Sequence, residues 1–388
     1  MRYIQIMKTR VIGPKLKEFA RLYPVITVTG PRQSGKTTLC RTLFPGKAYV
    51  NLEDTEQRWI AQTDPKGFLS RFAGDVVIDE VQRAPNLISA IQVAVDEQRR
   101  PGRFVLTGSQ NLLLMKTISQ SLAGRTALAT LLPFSLGELY GKRPPALETV
   151  IWEGFYPPIH DQKLPPAHTL AYYFATYVER DLRDLLNVKD LGRFERFVRL
   201  CAGRTGQILN LSSLAVDAGI AVSTAQDWLS VLETCYIVRL LRPWAANINK
   251  RLIKAPKLYF LDTGLACYLM GIQTPEQLKN HPARGALFET FVLGEYWKRN
   301  ANQMRLDTLH YFRDKTGNEI DLMEETEGKL TLTEIKSGMT LADDWFGPIR
   351  YAKNALPDIE KCQLVYGGNT ACSVNGIDVR GWKDLVHL

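Results

Sequence analysis

No two cysteines stand at C-x-x-C spacing, although six (Cys40, Cys201, Cys235, Cys267, Cys362, Cys372) are scattered along the 388 residues. That absence argues against a zinc cluster or a disulfide framework and for reduced, mostly buried thiols. No run approaches the roughly 20 apolar residues of a membrane-spanning helix. The opening residues, MRYIQIMKTR, lack the apolar core of a signal peptide. A cytoplasmic location, with no membrane partner, is the expectation. Low-complexity tracts are missing too: 45% hydrophobic and 23% charged residues make an ordinary globular composition. Charge is not one-sided either. The 49 basic and 40 acidic residues leave a formal net charge of +9, which suits a polyanionic partner but is too small to identify one. The length suggests two or three domains of roughly 150 residues each.

What is present is concentrated early. Residues Gly30, Pro31, Arg32, Gln33, Ser34, Gly35, Lys36 and Thr37, followed by Thr38, fit G-x-x-x-x-G-K-[ST], the phosphate-binding loop. The preceding YPVITVT (23–29) reads as a short buried strand and the following KTTLCRTL (36–43) as a helix. That order turns backbone N–H groups and the positive end of a helix dipole toward phosphates. The glycines let the backbone approach closely. Lys36 is placed to reach the β- and γ-phosphates of ATP, and the Thr37 hydroxyl to ligate Mg2+.

A second strand, AYVNL (48–52), ends in Glu53 and Asp54, and a third, DVVIDE (75–80), closes on two acids. This is the Walker B pattern, with 42 residues between Lys36 and Asp79. Asp79 is the candidate for the magnesium shell, and Glu80 for the base that activates water. The strand RFVLT (103–107) ends in Gly108, Ser109, Gln110 and Asn111. A polar residue there can sense the γ-phosphate, with Ser109 the candidate, or simply cap a helix. Arg125, ahead of the apolar stretch 127–132, reads either as an arginine finger toward a neighbouring subunit or as a solvated surface arginine. No N-K-x-D guanine-reading motif follows, which favours ATP over GTP. Alternating strands and helices imply a parallel sheet covered on both faces.

The segments TGPRQSGKTTL, YVNLED, VVIDEVQRAPNL, LTGSQN and SLAGRTALATLLPFS resemble a family of AAA-type ATPases from bacteria and archaea whose C-terminal half is a domain of unknown function. The resemblance continues through YVERDL and KAPKLYFLDTGLA to EIKSG, nearly the whole chain. It implies an AAA fold, ATP with magnesium, and a homo-oligomer, including the possibility of a hexameric ring.

Proline pairs at 144–145, 157–158 and 165–166 bracket a transition. Residues 169–186 read as an amphipathic helix whose Glu179, Arg180, Asp181, Arg183 and Asp184 suit intrahelical ion pairs. Within 211–244, a short helix ending at Gly219, a second helix opening at Ser223 and a strand at 236–241 follow the order of a winged helix-turn-helix. From 234 to 261 there are six basic residues and no acid: Arg239, Arg242, Lys250, Arg251, Lys254 and Lys257, interleaved with Trp244 and Tyr259. These are the candidate DNA-binding residues.

The final third reads as a helix at 285–299, strands at 309–313, 319–324 and 330–336, a helix near 345–354 and a strand at 363–366. This α-β-β-β-α-β order resembles restriction-endonuclease-like folds. Alternation puts Glu334 and Lys336 on one face of their strand. With Asp321 beside them and Glu289 on the preceding helix, the set matches PD-(D/E)-x-K without its leading proline. It would hold magnesium and orient water.

The expected fold class is α/β, in three parts: an AAA-type P-loop ATPase domain (1–142), a helical and winged-helix-like region (143–275), and a restriction-endonuclease-like α/β domain (276–388). The expected function is a magnesium-dependent ATPase acting on DNA, as a motor or junction remodeller. The alternative is a nucleotide-controlled switch that binds a protein partner without DNA cleavage.

Overall fold

The computed structural model describes residues 8–72, 75–108, 120–177, 190–244, 255–305 and 307–388. Ser109, Gln110, Asn111, the charges of 179–184, and Lys250, Arg251 and Lys254 lie outside the described residues. Two compact units emerge. The first is Met1–Phe134 with two short later segments, Thr234–Tyr236 and Lys298–Leu306; the second is Ser135–Glu233, Ile237–Trp297 and Asp307–Leu388.

In the first unit, β1 (Val25–Thr29), β2 (Ala48–Asn51), β3 (Val76–Asp79), β4 (Phe104–Thr107) and β5 (Thr126–Thr130) form one sheet in the order β2-β3-β4-β1-β5. Every neighbouring pair is parallel. A parallel sheet needs cover on both faces, which is why VITVT and VVID are buried throughout. Successive side chains point to opposite faces. Ile26, Val28, Val77 and Val105 meet helices α1 (Gly13–Phe19) and α2 (Lys36–Leu43). Val76, Ile78, Phe104 and Leu106 meet α3 (Thr55–Thr63), α4 (Pro65–Ser70) and α5 (Asn86–Glu97). With all strands parallel, Thr29, Asn51, Asp79 and Thr107 end at one edge, where a ligand of an open α/β sheet sits.

The second unit opens with four short helices, α6 (Leu136–Tyr140), α7 (Leu147–Glu153), α8 (Pro157–Asp161) and α9 (Pro166–Tyr173). The later proline pairs start helices rather than merely interrupting the chain, because proline lacks only an N–H that the first turn leaves unused. Next come α10 (Leu191–Gly203), β6 (Gln207–Ile208), α11 (Leu211–Ala218), α12 (Val222–Thr234), β7 (Val238–Leu241) and β8 (Lys257–Phe260). The three strands pair antiparallel in the order β6-β8-β7. Gly219, in the left-handed region at φ 71°, ends α11 and turns the chain into α12.

After α13 (Thr263–Leu269) and α14 (Pro275–Lys279), the long α15 (Arg284–Asn302) leads into β9 (Leu309–Arg313), β10 (Glu319–Thr326) and β11 (Lys329–Lys336). Helix α16 (Gly347–Ala355) precedes β12 (Ile359–Tyr366), and β13 (Cys372–Val374) and β14 (Ile377–Gly381) complete the sheet β13-β14-β12-β11-β10-β9. Strands β9 to β11 are antiparallel neighbours, whereas β12 lies parallel to β11 and β14. Ile349 and Ala352 of α16 pack on Ile320, Met323, Leu332 and Leu364. The pairing of β10 with β9 shifts register between Ile320 and Met323, the stretch that holds Asp321. Among the described residues no helix is long and apolar enough to cross a membrane.

Candidate functional site

The loop from Gly30 to Thr37 joins the end of β1 to the start of α2, so its N–H groups and the helix dipole share one edge of the sheet. Its shape depends on backbone that side chains resist. Gly30 has φ 138°, and a Cβ there would lie 2.2 Å from the Leu131 carbonyl oxygen. Gly35 caps α2 at φ 91°, and Gln33, not a glycine, takes φ 60°. Arg10, 8% exposed, braces the loop: its guanidinium donates to the Ser34 carbonyl (2.8 Å) and the Leu132 carbonyl (2.6 Å). Arg32 is half-buried, and Gln33 and Thr38 are exposed.

Lys36 is buried, and its Nζ donates to the carbonyls of Gly30 (3.1 Å) and Pro31 (2.8 Å). Burial lowers its pKa to about 8, against the opposing pull of Glu80 and Asp79. The Ser34 hydroxyl is fully buried and has no hydrogen-bond partner among the described residues. Among the described residues, an ammonium bonded to the loop's own carbonyls and an orphaned hydroxyl in a glycine-shaped cradle both suit an anionic ligand.

Asp79, 2% exposed, is held from two neighbouring strands and a helix start. Its Oδ2 accepts from Thr37 Oγ1 and from Tyr49 OH, each at 2.8 Å, and its Oδ1 accepts from Thr107 Oγ1. Burial first, then the bond to Asp79, holds the Tyr49 phenol protonated far above its usual range. The Arg41 guanidinium covers the same ring at 4.7 Å. Glu80 sits in the left-handed region at φ 56° and accepts a hydrogen bond from Gln82 Nε2. Non-glycine residues in that region cost energy and cluster where geometry serves a function. The Cys40 thiol behind the loop is pushed up to about 12 by burial and is inert.

Sequence reasoning missed Tyr49, Thr107 and Arg10. The trace of the first two in the sequence is a hydroxyl on a strand, within β2 for Tyr49 and at the carboxyl end of β4 for Thr107, which gains meaning once the order β2-β3-β4 makes those strands flank Asp79. Arg125 lies apart from the phosphate loop of its own chain. It precedes β5, whose Thr126 pairs with Val25 at the start of β1, so it stands at the sheet edge opposite the phosphate loop. Its guanidinium donates to both carboxylate oxygens of Asp96 at 2.7 and 2.8 Å, at a distance from the phosphate loop of the same chain.

The basic stretch is corrected in part. Lys257 is 3% exposed and cannot meet a phosphate backbone. Arg239 is paired with Asp307 and stacked 5.1 Å over the Trp297 ring, while Arg242 is exposed. Trp244 and Tyr259 are buried, their polar atoms donating to Glu325 and Glu289.

In the second unit Lys257 reaches Glu289 (3.1 Å), Glu319 (2.5 Å) and, at 3.9 Å, Asp321. Lys336 pairs with Glu334 at 2.6 Å, and Asp321 Oδ2 accepts from the Ile335 N–H at 2.8 Å. Burial, then Glu289 and Glu334, drives the Asp321 carboxyl well above the usual range, and burial also raises Glu334. Burial opposes the Lys257 ammonium, but Glu289, Asp321 and Glu319 outweigh it and keep it charged. Of the three carboxylates expected to face a magnesium ion, Glu289 is thus bonded to Lys257 and Glu334 to Lys336, with Lys257 3.9 Å from Asp321. Among the described residues no three acidic, imidazole or thiol side chains are placed to hold a metal ion.

A family model described as "AAA domain" matches residues 22–140. Two models of domains of unknown function match 144–276 and 284–384. Over 370 residues, 94% of this chain and 81% of theirs, the chain is 32% identical to "Uncharacterized protein Rv2008c" of Mycobacterium tuberculosis and "Uncharacterized protein Mb2031c" of Mycobacterium bovis. The chain belongs to their family. Its N-terminal region is a P-loop ATPase domain of the AAA type. Among solved structures, the Walker-type ATPase of Pyrococcus abyssi is similar at a TM-score of 0.46 and 15% identity, over 66% of this chain and 94% of that one.

Proposed function

We propose that the chain binds ATP with Mg2+ and hydrolyses it to ADP and phosphate. The observation that carries this is the Thr37–Asp79 contact of 2.8 Å beside the buried Lys36. A hydroxyl and a carboxylate are the hard oxygen donors that suit magnesium. When bound, the ion neutralises charge on the β- and γ-phosphate oxygens. Lys36 exchanges its two loop carbonyls for phosphate oxygens. Glu80 takes the proton of the attacking water as its oxygen bonds to the γ-phosphorus and the bond to the β–γ bridging oxygen breaks. Tyr49 and Thr107 fix the Asp79 carboxylate so that it needs no reorganisation.

In this reading hydrolysis acts on DNA through the rest of the chain, working as a homo-oligomer. Support comes from α10–β6–α11–α12–β7–β8 with strand order β6-β8-β7, the arrangement of a winged helix, and from the basic residues at 242–254. A helix, three antiparallel strands, a helix and a parallel strand likewise support a nuclease-like fold for the last segment. One observation favours the second reading, a nucleotide-controlled switch that binds a protein. Residues 211–234 contain no lysine or arginine, and Val216 and Val222 are exposed there. ATPase rates with duplex, branched and single-stranded DNA separate the two. Stimulation that fades with salt supports DNA. Unchanged rates and no binding at low salt leave the switch.

A further inference from the structure

The carboxylates expected to hold a metal are packed around a lysine from outside their own sheet. Lys257 belongs to β8, the central strand of the three-stranded sheet, and its side chain is 4% exposed. Its Nζ meets Glu289 of α15 at 3.1 Å and Glu319 of β10 at 2.5 Å, with Asp321 at 3.9 Å. Tyr259, two residues along the same strand, donates to the same Glu289 oxygen. On the far side, Glu334 is 2% exposed, and among the described residues its Oε1 is engaged by Lys336. Glu334 Oε2 is buried with no hydrogen-bond partner among the described residues, a capacity for one more cation contact that the fold leaves open.

From this geometry we infer that Lys257 is the resident cation of the C-terminal carboxylate site, filling with an ammonium the place a divalent metal ion would take. The inference concerns this site alone and is independent of the ATPase reading. Carboxylates crowded together with little access to water disfavour one another's charge, and a cation among them offsets that cost. The fold supplies that cation from a neighbouring strand, and Arg313 adds a second contact to Glu319 at 3.2 Å. A metal-dependent reaction at Asp321, Glu334 and Lys336 requires Lys257 to withdraw first. In the state described, Lys257 holds Glu289 and Glu319 and stands 3.9 Å from Asp321.

Removing the ammonium leaves buried carboxylates uncompensated, which favours capture of a metal ion in its place. The test is Mn2+ titration of the full chain without nucleotide, followed by the electron paramagnetic resonance of free Mn2+. Wild type is expected to show no Mn2+ site that Asp321→Asn removes. Lys257→Met is expected to gain one, at least tenfold tighter than any wild-type binding and lost again when Asp321→Asn is added. A wild-type Mn2+ site that Asp321→Asn abolishes overturns the inference, as does a folded Lys257→Met with no gain. If Lys257→Met does not fold, the wild-type titration still decides, together with amine acetylation read by mass spectrometry. Lys257 should react at least tenfold more slowly than the exposed Lys315, and equal rates refute the assignment.

Discussion

Raising the pH from 7 to 9 tests the state of Lys36. Burial lowers its pKa from 10.5 to about 8 in the nucleotide-free protein. Phosphate oxygens favour the charged ammonium, so the complex keeps a proton that the free protein has begun to release. Above pH 8 each unit should then weaken nucleotide binding about tenfold. At pH 9 roughly one-tenth of the free protein carries the proton, a loss of about 1.4 kcal/mol relative to pH 7. Stability should move the other way. Between pH 8 and 10.5 the unfolded chain binds more protons than the folded one, so stability of the nucleotide-free protein rises across that window. The gain from Lys36 is limited to about 3 kcal/mol. Titration calorimetry with Mg2+ and a non-hydrolysable ATP analogue, in buffers of different ionisation enthalpy, measures the linkage directly. Proton uptake should be near zero at pH 7 and approach one at pH 9, and Lys36→Met should abolish it. An affinity that stays flat from pH 7 to 9, or binding without proton uptake at pH 9, refutes the reasoning.

Other perturbations read other parts of the site. Glu80→Gln keeps the shape but removes the base, so hydrolysis should fall by about 10²-fold or more while nucleotide affinity, measured by titration, changes little. Gly30→Ala places a methyl group 2.2 Å from the Leu131 carbonyl at φ 138°, and chemical denaturation should show a loss of about 2–4 kcal/mol. Tyr49→Phe removes one of three hydroxyls on Asp79 and should cost about 1.5–3 kcal/mol in the same assay, with slower turnover. The Cys40 thiol should stay unmodified by maleimide in the native protein while the exposed Cys372 reacts.

The phosphate loop and the Walker B strand were legible because both are local. A glycine-framed turn between strand and helix needs only neighbouring residues to form, and a strand buried on both faces writes itself as an apolar run. The position of Arg125 was legible in principle. A residue just before a parallel strand lies at the amino edge of the sheet, and phosphates sit at the carboxyl edge. Its bond to Asp96, 29 residues away, was not.

The sequence by itself thus determined a phosphate-loop pattern, a strand closing on two acids and much of the succession of strands and helices, since each rests on short-range chemistry. Only the tertiary structure decided which hydroxyls hold Asp79, because Tyr49 and Thr107 reach it through strand order. It also decided what Lys257 is. In sequence the residue continues a basic run that invites a polyanion. In the fold, β8 is a central strand, and alternation turns Lys257 and Tyr259 toward Glu289, 32 residues from the lysine. A charge has no meaning until its partners are known, and here the partners arrive from another sheet and the helix before it.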